Sequence, residues 1–390
     1  MWLAYNHPRF DRPRRIEAVV EELAGKAYAD QFWRRFRANY ITESDIRLMA
    51  DMGFNSVRIP INARLFLEEG PGVRFVEEGF QCLNRVLAWC ETHKLYVFID
   101  LHGAPGGQTG ANIDDSADDI CHLLKDDDQF EKGLCLWEEI ARRYKDKWIV
   151  GGYDLLNEPV RPVRFPGDVS LEAYVPRLMA FYEQCIARVR AVDPNHLFTL
   201  EGHHWATETD IFTHVYDPQM VIHFHRYGCA PDMAAFQTWL DLSEKLNVPL
   251  WLGETGENTP EWFSAMMPLA ASLNIGVNMW PWKKMNCRNS PCSVTPPKDW
   301  QLILDYAAGG AHPGREKAQE ILDEYLSNMR LDNCRINETL IACVFRRPGC
   351  VIAGTDFDEL PGQGASYWHR ESGPSAGAYR QNTGMLLHCR

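Results

Sequence analysis

Seven short apolar runs punctuate this chain, and each is followed by a polar or Gly-rich break and then by a stretch with helical periodicity. They are "FNSVRIP" (54–60), "YVFIDLH" (96–102), "VGGYDLLNEP" (150–159), "LFTLEGHH" (197–204), "MVIHFHRY" (220–227), "PLWLGETG" (249–256) and "GVNMWPW" (276–282). Runs that stay apolar instead of alternating are what strands buried on both faces of a parallel sheet need. Between them, "FQCLNRVLAWCETHKL" sets Phe80, Leu83, Leu87 and Cys90 at helical spacing, and "LEAYVPRLMAFYEQCIARVRAVDP" ends in a basic turn before Pro194. This alternation predicts βαβ units and an α/β fold.

Seven strands, with an eighth at the N-terminus, suit a (β/α)8 TIM barrel better than an open doubly wound sheet, because no Gly-rich dinucleotide fingerprint follows an early strand. The first strand is expected to be missing or truncated. Ahead of residue 54 only "MWLAY" looks extended, and residues 15–50 read as helical or irregular. A barrel open at that point would expose two sheet edges and apolar surface, which costs stability. The barrel domain is expected over residues 1–330, followed by a short non-barrel extension over 331–390. There "INETLIACVFR" reads as a short helix, and the remainder is rich in Gly, Ser, Tyr and Trp.

A formal charge of -13 argues against a nucleic-acid groove or an anionic membrane surface, both of which draw affinity from clustered Lys and Arg. A neutral substrate and a monomeric protein are expected. No run approaches the roughly 20 apolar residues that span a bilayer, and the N-terminus lacks a basic segment leading into an apolar one. Localisation is left open: cytoplasmic for the chain as it stands, secreted for one with a longer N-terminus. The 12 cysteines are scattered without paired Cys-x-x-Cys repeats, so free buried thiols are expected, with Cys287 and Cys292 able to pair under oxidising conditions.

The C-terminal ends of barrel strands form the active-site face, so polar residues there are informative. Arg58, His102, Asn157, Glu158, His225, Tyr227, Glu254 and Trp280 each fall at the end of an apolar run. Any one of them alone is as readily a rim ion pair, but together they make a site. Glu158 and Glu254, on the fourth and seventh strands of an eight-strand count, would face each other across the barrel mouth. Two carboxyl groups roughly 5 to 5.5 Å apart suit a retaining glycosidase, one protonating the leaving oxygen while the other attacks the anomeric carbon. Like charges at that distance repel by roughly 3 kcal/mol at an effective dielectric near 20, so one of the two should stay protonated near neutral pH. His223, His225 and Tyr227 share one strand face, with His223 one step deeper in a packing role. Glu201 and Glu257 are read as structural or substrate-rim residues, and Trp282 as either rim packing or a sugar platform.

In order and spacing, "VRIP", "DLHGAPGGQTG", "LLNEP", "HFHRY" and "WLGETG" resemble glycoside hydrolase family 5, the cellulase-like retaining β-glycosidases, over residues 2–330. The resemblance implies Glu158 as acid/base and Glu254 as nucleophile, acting on a β-glucan or β-glucoside by double displacement with no cofactor and no metal in the chemistry. It implies Asn157 on the sugar 2-hydroxyl, Arg58 and Tyr227 holding Glu254 ionised, His102 and His225 lining the sugar site, and Trp280 stacked beneath the ring. The loop after "DLHG" resembles that of exo-acting β-1,3-glucanases, which implies substrate contacts for Gln108 and Asn112; Trp205, near a strand end, is read like Trp282 as either rim packing or a sugar platform. Family members usually begin with a "GxNLGGW"-like first strand, absent here, and the segment after residue 351 resembles the start of a β-sandwich carbohydrate-binding module. Two other readings stand beside this one: a metal-dependent barrel hydrolase using His102, His223 and His225, and a non-catalytic sugar-binding barrel.

Overall fold

The computed structural model describes residues 9–163 and 168–352. Three helices come first: α1 (Pro13–Ala24), α2 (Lys26–Asn39) and α3 (Glu43–Met52). The limits of α3 are written in its sequence, since Thr42 and Asp45 form a capping box and Gly53 ends the helix at φ 97°. There follow β1 (Ser56–Asn62), α4 (Glu77–His93), β2 (Tyr96–Gly103), α5 (His122–Lys125), α6 (Asp127–Tyr144), β3 (Val150–Asp154), α7 (Val175–Val192) and β4 (Leu197–Glu201). The one-turn α8 (His203–Ala206) precedes β5 (Met220–Arg226), α9 (Gln237–Leu246), β6 (Leu250–Gly256), α10 (Pro260–Ser272) and β7 (Gly276–Trp280). The last described elements are β8 (Lys283–Met285), β9 (Cys292–Val294), α11 (Trp300–Ala307), α12 (Arg315–Asn328), β10 (Arg335–Ile336) and α13 (Glu338–Val344).

Strands β1 to β7 pair in chain order, every neighbour parallel, and form the wall of a (β/α)8-type barrel. All seven apolar runs are strands. Their continuous apolar character follows from burial on both faces: Val97, Ile99 and Leu101 of β2 are buried, and so is Asp100 between them. Helix α4 buries the residues that its periodicity singled out, Phe80, Leu83, Leu87 and Cys90.

Strand limits differ from the sequence reading at two places that bear on the site. β1 continues beyond Arg58 to Asn62, which leaves Arg58 inside the strand. β3 stops at Asp154, because the chain turns through positive φ at Glu158 (43°) and Val160 (54°), outside the extended region.

Among the described residues no strand joins β1 to β7. A cavity of 1250 Å3 follows that gap, lined by Val57 and Ile59 of β1, Met279 of β7, Trp33 and Phe36 of α2, and Met49 of α3. The expectation of two sheet edges facing solvent is therefore corrected: both edges face the N-terminal helices across a cavity. Segment "MWLAY" lies outside the described residues. Helix α1 carries Ile16, Val19, Val20 and Leu23 at helical spacing, and these pack with Ile303 of α11 and Leu322 and Leu326 of α12 in a second core beside the barrel.

After residue 330, β10 pairs antiparallel with β9, and Leu340 and Cys343 of α13 join the barrel core. The carbohydrate-module resemblance falls on residues outside those described. Cys287 and Cys292 are both free thiols. No helix of the described residues is long and apolar enough to cross a membrane.

Candidate active site

Arg58 is the hub of the barrel mouth. Its side chain is almost wholly buried, and a guanidinium in that position requires anionic partners. It donates to Asp154 Oδ2 at 2.6 Å, Glu254 Oε1 at 2.7 Å, Asn157 Oδ1 at 2.8 Å and Glu201 Oε1 at 3.0 Å, and Asp100 Oδ2 lies 3.2 Å from Nη2. The parallel register brings the partners in, since Asp100 of β2 stands beside Asp154 of β3. Asp100, Asp154 and the part played by Glu201 were missed in the sequence reading. The available signal was an acid inside an apolar run, two residues before His102 in the case of Asp100. Glu201, read as structural or rim, is fully buried, and its Oε2 accepts from the Glu158 backbone N–H at 2.7 Å.

Glu254 lies near the C-terminal end of the entirely buried β6 and is held at both oxygens, by Arg58 and by the Tyr227 hydroxyl, which donates to Oε2 at 2.9 Å. Glu158 Oε1 is 2.7 Å from His225 Nδ1, and His225 Nε2 is 3.0 Å from His223 Nε2. His223 packs under this pair, 3.2 Å from Asp154, as its deeper place on the strand implies. Gly253 makes room for it: a Cβ there would stand 1.9 Å from His223 Nε2. One ligand atom each of Glu158, His225 and Glu254 lie within 4.8 Å of one another, so the two carboxyl groups share one small space.

The environments drive the two carboxyl groups apart. Burial raises Glu158, and the charges of Glu254 and Glu201 add to this, outweighing the His225 contact that pulls the other way. Burial would raise Glu254 too, but the charges of His225, Arg58 and His102 and the Tyr227 hydroxyl outweigh it and bring its pKa down to about 2. Burial alone would lower His225, yet the carboxylates around it carry it well above the usual imidazole value.

The remaining expected residues divide. His102 Nδ1 is 2.9 Å from Asp100, its Nε2 faces the Asn157 amide at 3.4 Å, and its ring lies parallel to Trp280 with centroids 5.3 Å apart. One face of Trp280 is thus covered by His102. Gln108, expected on substrate, is fully buried, and its amide donates to His102 O and Asn157 O, each at 2.9 Å. Its backbone carbonyl accepts from Val160 N–H at 3.2 Å. Gln108 therefore clamps the turn on both sides of Glu158, and that correction has a physical cause: residues at positive φ need partners outside the strand ladder. Asn112 is half-buried in the same loop and has no hydrogen bond to the cluster among the described residues. Trp205 is half-buried in α8 at φ 61°. Trp282 donates to Asp45 Oδ1 at 2.9 Å and packs edge-on against Phe54, which makes it rim packing. Glu257 pairs with Lys284.

Two groups here have ligand atoms close enough to hold an ion: Glu201 with His223 and His225, and Glu158 with His225 and Glu254. His102 belongs to neither. The expected ligand set of His102, His223 and His225 is not assembled, because His102 is turned onto Asp100 and Trp280.

Known proteins resemble the chain in sequence and in fold. A β-xylosidase of Phanerodontia chrysosporium is 31% identical over 52% of this chain and 40% of its own length. A probable glucan 1,3-beta-glucosidase A of Emericella nidulans is 34% identical over 45% of this chain and 39% of its own, and cellodextrinase A of Ruminococcus flavefaciens 29% over 48% and 52%. The matches thus cover about half or less of these relatives. The crystal structure of endoglucanase Cel5A from Thermotoga maritima superposes with a TM-score of 0.52 over 68% of this chain and 89% of its own, at 17% identity, a likeness of fold. With its parallel barrel wall and paired glutamates in place, and with the cellulase family model matching residues 21–286, the chain belongs to glycosyl hydrolase family 5.

Proposed function

We propose that this chain is a retaining β-glycosidase that hydrolyses O-glycosidic bonds of a β-glucan or β-glucoside by double displacement. The observation that carries the reading is the opposite pull on two neighbouring carboxyl groups, Glu158 raised and Glu254 lowered to about 2, within one buried space. In the first step Glu254 attacks the anomeric carbon while Glu158 gives its proton to the leaving oxygen. In the second, Glu158 takes a proton from water, which attacks the glycosyl-Glu254 ester and frees the sugar with its original configuration. Asn157, oriented by Arg58 through its Oδ1 and by His102 Nε2 at one side of its amide, has a second amide hydrogen for the sugar 2-hydroxyl. His102 and Trp280 form one wall of the sugar site, with the Trp280 face away from His102 as the platform.

The names of the relatives support a β-linked glucose or xylose unit as the sugar that enters the site. The test is turnover of aryl β-glucoside, aryl β-xyloside and β-glucan, with the first-formed anomer followed by NMR. Release of the β-anomer is expected. Release of the α-anomer would overturn double displacement, and binding of these sugars without turnover by folded protein would favour the sugar-binding barrel.

Two further outcomes follow from the electrostatics. As pH rises through the raised Glu158 pKa the acid is lost, so kcat/KM falls on the alkaline side. On the acid side it falls as Glu254 protonates, with the midpoint at about 2. Glu158→Gln should remove the alkaline limb, and its survival in that variant would assign the limb to another group. Tyr227→Phe takes one donor from Glu254, so the acid limb should move upward and kcat/KM should fall about tenfold, the worth of one hydrogen bond to a charged group. An unchanged limb would show that the hydroxyl does not tune the nucleophile.

A further inference from the structure

Away from the carboxylate pair, a second set of ligating side chains gathers at the exit of β4. Gly202 is extended and leaves no room for a Cβ, which would stand 1.8 Å from Glu208 O, and the chain then turns through positive φ at His204, Trp205 and Ala206. The turn presents His203 and His204 to Glu172, from the short 3-10 turn before α7. One ligand atom of each of the three lies within 4.8 Å of the others. Glu172 Oε1 and His204 Nε2 are 2.5 Å apart, and Glu208 lies 3.9 Å from His204 Nδ1.

The His203 ring sharpens this. Its side chain is only 4% exposed, and its Nε2 is 2.6 Å from Asp210 Oδ1, which fixes the ring proton on Nε2. Nδ1 is then an unprotonated acceptor, and it is buried with no hydrogen-bond partner. A buried acceptor left unpaired is costly, and a metal ion would satisfy it. A histidine that gives one ring proton to a carboxylate and keeps its other nitrogen free is the arrangement that metal sites use to orient a ligand.

We propose that Glu172, His203 and His204 bind a zinc ion at the rim of the barrel mouth, with His203 ligating through Nδ1 and Asp210 holding it from behind. Two imidazoles and a carboxylate suit zinc, and water or Glu208 completes the tetrahedron. The ion replaces the proton shared by Glu172 and His204 and moves them apart to ligand spacing. It ties the segment following Glu158 to the exit of β4, because His204 N–H donates to Val160 O at 2.8 Å. The site is structural, and the two glutamates of the reaction take no part in it.

The test is a zinc titration of chelator-washed, full-length protein by calorimetry, with metal content measured after dialysis. One zinc per chain is expected. Affinity should fall more than about 100-fold in Glu172→Gln and His204→Gln, and about 10- to 100-fold in Asp210→Asn. Glu172 is 53% exposed, so its variant keeps the fold, and circular dichroism checks the others. The proposal is overturned if the wild type binds no zinc, if folded Glu172→Gln and His204→Gln bind it as tightly as the wild type, or if the bound zinc is lost only in His225→Gln.

Discussion

Glu254→Ala is expected to lose turnover of an aryl β-glucoside by on the order of 10⁴-fold or more, the scale of removing a covalent nucleophile. Added azide should restore part of the rate. The deletion leaves a pocket beside Arg58 and Tyr227, and a small anion held there can attack the anomeric carbon in place of the carboxylate. One displacement inverts configuration, so the product is an α-glycosyl azide. Glu158→Ala should behave differently. An aryl glycoside with a good leaving group still forms the glycosyl-enzyme, but water then lacks its base and the second step slows by about 10²- to 10⁴-fold. Azide needs no base, and after two displacements it gives a β-glycosyl azide. Product NMR on the two variants therefore assigns the roles: α from Glu254→Ala and β from Glu158→Ala support the assignment, and the opposite pairing reverses it.

These two glutamates were legible in the sequence because a charge at the end of an apolar run is visible without knowledge of its neighbours. The strands themselves were legible for a related reason. A parallel strand covered on both faces is a run of apolar residues, and a run can be seen in one dimension. What escaped was pairwise. Asp100 and Asp154 sit within such runs, and only the register of β2 against β3 shows that both point at Arg58. Gln108 looked like a substrate ligand because it lies in a polar loop. That its amide is consumed by His102 O and Asn157 O depends on how the loop folds back, which composition does not encode. The N-terminal segment read as helical or irregular, and its union with α11 and α12 joins segments nearly three hundred residues apart, as in the Tyr28 hydroxyl bond to Gln319 O. Long-range packing of this kind leaves no local periodicity beyond the apolar stripe.

Arg58→Met should cost about 3 to 5 kcal/mol of folding stability, the usual result of removing one partner from a buried ionic cluster. Asp154, Glu201 and Glu254 would each lose a hydrogen bond to the guanidinium, and Asp100 a charge 3.2 Å away. The loss should depend on pH, with a definite sign. In the wild type Glu254 and Asp154 are held below their ordinary pKa values. The unfolded chain then binds more protons than the folded one between those pKa values and the ordinary carboxylate range, so stability from these groups is full at neutral pH and fades with acid. Without Arg58, Glu254 and Asp154 keep the charges of His225 and His223 but lose the guanidinium, and both move upward. The folded variant then binds more protons in acid than the folded wild type does, so it loses less stability as pH falls. The gap between the two proteins should therefore be widest near pH 7 and narrow toward pH 4, measured as the midpoint of urea unfolding at constant slope. A gap below about 1 kcal/mol, or one that does not change with pH, would mean that Arg58 is not the charge that compensates this cluster. Activity supplies a separate readout, because Glu254 with a raised pKa is a nucleophile only at higher pH. Arg58→Met should therefore move the acid limb of kcat/KM upward by more than Tyr227→Phe does, since it removes a full charge where the other removes one hydroxyl.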